Sequence, residues 1–181
     1  ENSRELIGTL RLLINRKDSL AWWTLLKITT GIGDTAVERI YDMARTLRLS
    51  FGDIIIREYE SGFSNIVTGK IKIAERVNQI TRVLENVSVP ESAAWGKWII
   101  EQSRSGVLPR VTEGVESLLE KIDSWKDTVQ ELTFGQYVNQ IEPLIKDITN
   151  AKTPGLLRIM TLSRSKGLTV KAAIIAGVED G

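Results

Sequence analysis

Two stretches of this 181-residue chain carry residue types that could do chemistry. The first is Thr-Thr-Gly-Ile-Gly-Asp-Thr, Thr29 to Thr35. Two glycines four and six residues after Lys27, with three threonines around them, suit an anion. Backbone amides and hydroxyls donate, and glycine lets a phosphate come close. The second is Thr161-Leu-Ser-Arg-Ser-Lys-Gly-Leu-Thr169, where Ser163, Lys166 and Thr169 offer donors around Gly167 and Leu168. Other chemistries lack their residues. The chain has no cysteine, which removes thiolate nucleophiles and cysteine-rich zinc sites, and no histidine, which removes the usual general base. The acidic residues are interspersed with Lys and Arg, and no spacing singles out a carboxylate pair. The formal charge of +1 makes no case for a polyanionic partner by itself, so a basic surface must be local.

Most elements that must hold these groups read as amphipathic helices. Arg4–Asn15 carries Leu6, Leu10, Leu13 and Ile14 on one stripe, and Asp18 or Ser19 caps a second helix, Leu20–Ile28. A third runs from Asp34 to Leu47 with Val37, Ile40 and Ala44 inward. Gly62, Ser64, Asn65 and Gly69 mark a loop before Lys70–Val87, whose face is Ile73, Val77, Ile80 and Leu84. Pro90 separates that helix from Glu91–Ser103. Thr112 starts the next, with Leu118, Leu119, Ile122 and Trp125 inward, and without a capping box because the residue three further on is Val115. Thr133–Ile148 is the last, with Pro143 predicting a kink or a boundary in its middle. Trp22, Trp23, Trp95, Trp98 and Trp125 sit at helical positions among aliphatics and read as packing anchors. After Asn150 the pattern changes to two short strands, Leu156–Leu162 and Lys171–Ala176, around a loop. The expected fold is mainly α over residues 1–150, with a strand-loop-strand piece of α/β architecture over 151–181.

The first stretch has the form of a helix-hairpin-helix element. Leu25 and Ile28 precede the turn, Gly31-Ile32-Gly33 makes it, and Val37 and Ile40 follow. Gly31 can take positive φ, Ile32 can lock the angle between the helices, and Gly33 can open the next helix's amides to a phosphate. The same residues also serve as a plain helix cap and turn, and both readings stand. Asp34 can cap the helix but puts a negative charge beside the proposed phosphate, with Lys27 and Arg39 as offsetting cations.

The second stretch resembles motif V of the UvrD/Rep-type superfamily 1 DNA helicases at Thr161, Lys166, Gly167, Leu168, Gly177, Glu179 and Gly181. The family's usual histidine is Ser163 here, and its usual glutamate is Thr169. Leu10-Arg-Leu, Asn15-x-x-Asp18 and the following Gly31-Ile32-Gly33 are similar to the start of the 2B subdomain of those helicases. The resemblance implies a helical 2B-like accessory subdomain followed by part of the second RecA-like motor domain. It implies contact with duplex DNA backbone through Lys27, Thr29, Thr30, Gly31, Ile32, Gly33 and Thr35, and a motif V loop facing single-stranded DNA and nucleotide. ATP and Mg²⁺ are implied for the full helicase. No Gly-x-x-x-x-Gly-Lys-Ser/Thr loop occurs here, so the stretch is expected to be a fragment that does not hydrolyse ATP alone. Expected partners are DNA and the remaining motor domains, in the cytoplasm and away from membranes. The competing expectation is a protein-interaction or autoinhibitory helical module in which the hairpin is only a turn.

Overall fold

A helix with one apolar stripe needs one neighbour; a helix with two needs a layer on each side. The first helix, α1 (Asn2–Ile14), is of the second kind. In the computed structural model, which describes residues 2–66, 69–91, 94–124 and 132–150, it is shared between two apolar cores. Leu12 belongs to one core, Leu6, Ile7 and Leu10 belong to the other, and Leu13 touches both. Ile14, expected on the inward stripe, is instead 45% exposed, because burial on two sides shifts the covered arc toward Ile7 and Leu12.

The first core gathers α2 (Ser19–Lys27), α3 (Asp34–Leu47), α4 (Phe51–Glu60) and α5 (Lys70–Asn86). Trp22, Leu25, Val37, Ile40, Ile54, Ile55, Ile73 and Val77 are all essentially solvent-free there. Burying each such aliphatic side chain contributes roughly 1.5–3 kcal/mol, so packing rather than helix propensity holds these elements. The second core gathers α6 (Trp95–Arg104), α7 (Glu113–Asp123) and α8 (Phe134–Asn150) against α1. Trp95 stands edge-on to Phe134, with centroids 5.8 Å apart, and tilted against Tyr137 at 5.4 Å.

Local side-chain signals account for three of the helix starts. Asp18 caps α2, its carboxylate accepting from the Ala21 amide at 2.9 Å. Ser50 and Asp53 form a reciprocal capping box on α4. Thr133 and Gln136 exchange hydrogen bonds in the same manner at the start of α8. Thr112 takes the N-cap position of α7 but makes no side-chain cap bond.

Three sequence expectations change. The helix after Pro90 begins at Trp95 rather than Glu91, and the Pro90 carbonyl accepts from the Trp95 indole at 2.8 Å. Pro143 makes no boundary, since α8 runs through it. Tyr137, Val138, Ile141 and Ile145 are fully buried on both sides of the proline, which itself faces solvent. Trp23 is no packing anchor, being 43% exposed, whereas Trp22 and Trp95 are buried. Eight helices and no strand are present among the described residues, and none of these helices is long and apolar enough to cross a membrane. The chain divides into two units, Glu1–Ala151 and Lys152–Gly181. The expected strand-loop-strand piece, with Thr161, Ser163, Lys166, Gly167, Leu168 and Thr169, lies outside the described residues, as does Trp125.

Candidate nucleic-acid interface

The hairpin is built by three successive turns of hydrogen bonds. α2 ends at Lys27, with the Ile28 amide on the Thr24 carbonyl. The Thr29 amide then reaches Leu26, and the Ile32 amide reaches Thr29, each at 3.1 Å. The second bond closes a tight turn with Gly31 in its third position at φ 87°. That position requires positive φ, so glycine belongs there whatever else the turn does. Ile32 is 6% exposed and packs into the first core, fixing α3 against α2.

Gly33 is the N-cap of α3, at φ −77° and ψ 159°, a conformation open to every residue. A Cβ placed on it would meet nothing within 4 Å. Its carbonyl accepts from Ala36 and Val37, and no side chain caps the helix. Asp34 therefore does not cap α3. It stands one residue inside the helix, exposed, in an ion pair with Lys27. The Lys27 ammonium also lies 5.6 Å from the centre of the Trp23 ring.

The expected contact residues separate into two sets. Thr30, Gly31, Gly33 and Thr35 are exposed together on the hairpin's outer side. Thr29 is not available in the same way, because its hydroxyl donates to the Leu25 carbonyl at 2.7 Å. Ile32 is internal, and Lys27 is occupied by Asp34.

Sequence reasoning missed the neighbour that completes this face. α5 starts at Gly69, at φ 70°, and a Cβ there would sit 3.1 Å from the Ala36 Cβ. The first turn of α5 thus lies against the first turn of α3. Lys72 runs beside Gly31, its Cδ and Cε 3.8 Å from where a Gly31 Cβ would be. Lys70 is exposed in the same turn, which holds no acidic residue. The pairing joins segments far apart in the chain, and no local pattern marks it.

Along α3, an open cavity of about 580 Å³ is lined by Arg39, Met43, Arg57, Glu58 and Asn65, among others. Glu58 is fully buried, and its carboxylate accepts from the Asn65 amide at 3.1 Å and side chain at 2.8 Å. That carboxylate pins the loop after α4, where Phe63 is buried at φ 59°. Arg39, expected as a cation for the hairpin, lines this cavity.

Compared with known proteins, the chain matches no family model, and no curated protein or solved structure is significantly similar to it.

Proposed function

We propose that this chain is a DNA-binding accessory subdomain of a UvrD/Rep-type superfamily 1 helicase, touching duplex backbone through the hairpin at Thr30–Thr35. The observation that carries the reading is Gly33. The turn accounts for Gly31, but neither φ nor packing within the described residues accounts for a glycine at position 33. A missing side chain in front of an uncapped helix start leaves amides open to a phosphate. Thr30 and Thr35 flank that opening as hydroxyl donors. Contacts of this kind carry no base information, so binding is to backbone and not to sequence.

ATP and Mg²⁺ enter this proposal only as ligands of the motor. Among the described residues no group of three or more His, Cys, Asp or Glu is placed to hold a metal ion. The hairpin's own chemistry is that of amides and hydroxyls.

The test is Gly33→Asp, read by fluorescence anisotropy on a labelled duplex across a salt series. The wild type binds weakly, and binding falls steeply as salt rises. The variant keeps its circular dichroism spectrum and its thermal midpoint does not fall, because aspartate is a better N-cap residue than glycine and has room here. Its duplex binding is lost, because a carboxylate stands where the phosphate would lie. Unchanged binding with an intact fold would reduce the hairpin to a turn. A second reading, a protein-docking or autoinhibitory module, then gains from Leu20 and Trp23, which α2 exposes one turn apart at 55% and 43%.

A further inference from the structure

We propose that Lys72, on α5, is the cation that sets duplex affinity at the hairpin, and that Asp34 holds Lys27 out of that role. This rests on the duplex-backbone reading and deepens it by assigning the charge the hairpin itself lacks.

The lysine nearest in sequence is already engaged. Lys27 is 29% exposed, paired with Asp34 and set over Trp23. Asp34 is 74% exposed on the same surface, so the pair presents little net positive charge to a polyanion. A phosphate recruiting Lys27 must compete with a carboxylate at the same ammonium.

Lys72 is placed differently. Its stem lies along Gly31, which has no side chain to stand between it and the outer side of the turn. Its side chain is 58% exposed. Its one ion pair among the described residues, with Glu75, spans 3.4 Å, long for a charge-assisted hydrogen bond, and joins two exposed groups. Such a pair is readily exchanged for a phosphate. Lys70 adds a second exposed cation in the same turn. Lysines in the first turn oppose the helix's own positive end, and no acid in that turn relieves them. An anion on the adjoining hairpin reverses that penalty. The resulting surface sets hairpin donors on one side and an exposed ammonium on the other, the arrangement that follows a phosphate backbone rather than a single ion.

The experiment compares Lys72→Ala, Lys27→Ala, Asp34→Asn and Gly33→Asp in the full chain, titrating a fluorescein-labelled blunt duplex of mixed sequence with KCl. Lys72→Ala is expected to weaken binding by about three- to tenfold at low salt and to flatten the slope of log K against log salt by about one. Lys27→Ala loses less than Lys72→Ala. Asp34→Asn tightens binding, because it releases Lys27 and removes a negative charge. The inference is overturned if Lys72→Ala keeps wild-type affinity and slope while Gly33→Asp abolishes binding; the hairpin reading then survives without it. It is equally overturned if Lys27→Ala takes the larger loss. If Gly33→Asp also binds as wild type, or the wild type shows no salt-dependent binding, the parent reading falls together with this one.

Discussion

The starts of α3 and α6 both involve a glycine, and they differ in what lies in front of it. At α6 the chain supplies its own anion. Asp123, from the end of α7, accepts from the Gly96 amide at 3.1 Å and the Lys97 amide at 2.8 Å. The same carboxylate accepts the Tyr137 hydroxyl at 3.3 Å. Burial, above all, and then the Asp123 charge push the Tyr137 phenol well above its usual value. Gly96 is explained by this closeness: a Cβ there would lie 2.7 Å from both Asp123 Oδ1 and the Leu119 carbonyl oxygen. At α3, among the described residues, nothing comparable stands in front of Gly33, and no side chain caps the helix. A closed start shows what a carboxylate does for exposed amides. An open start, whose glycine neither φ nor packing among the described residues requires, is where the proposed external anion would do the same.

The largest effect should come from pressing on the closed start. Gly96→Ala gains up to about 1 kcal/mol of intrinsic helix preference. It also drives a methyl into a backbone carbonyl that cannot swing aside as a flexible side chain would. Overpacking of this kind costs about 1–3 kcal/mol, so the clash wins and the urea midpoint falls. An unchanged midpoint would mean that α6 and α7 are free to separate, and the contrast with Gly33 would lose its force.

The reverse substitution sharpens the contrast. Gly33→Ser is expected to raise stability by a few tenths to about 1 kcal/mol, because serine is the better N-cap and restricts the unfolded chain. The same measurement reads both variants, and the two glycines should give opposite signs. A destabilised Gly33→Ser would show that the fold does need a glycine there, removing the main support for an external ligand.

How far the sequence disclosed these features depended on the range of the interaction. The helices bearing an apolar stripe were legible, as were Asp18 or Ser19 as the cap of α2, of which Asp18 is the one, and Ile32 as a residue locking the helix angle, because each is a local pattern. α4 was passed over, although Ser50-x-x-Asp53 announces it. Its consecutive isoleucines at 54–56 hide the helical period, and a glycine in the first turn argues against a helix. That glycine is there because a Cβ on Gly52 would lie 2.1 Å from the Lys17 carbonyl oxygen, a contact between distant segments. The candidate site divides in the same way. The hairpin was visible in its spacing. Lys72 beside Gly31, the Lys27–Asp34 pair and the tied hydroxyl of Thr29 were not, since each depends on where the turn directs its neighbours.

The smallest effect concerns a third start, α4, closed by a carboxylate from its own first turn. The Asp53 carboxyl is lowered from its ordinary 3.8 to about 2, first by the Ser50 hydroxyl and then by Lys17, whose ammonium lies 2.9 Å away. A folded-state value below the unfolded one means that the ionised form stabilises the fold. That contribution is fully present above about pH 4 and is lost as pH falls through the folded value near 2. Thermal midpoints of the wild type and Asp53→Asn should therefore differ at neutral pH and converge as the pH approaches 2. The gap should be small, because the group is at the surface and salt screens its pairing with Lys17. Gly33→Asp provides a related control, since its new carboxylate would stand at the N-cap of α3, the position Ser50 holds on α4. If the Asp53 gap persisted unchanged at the acid end, the asparagine would be acting through shape and not through charge. A chain-supplied anion would then be no guide to what the open start of α3 holds.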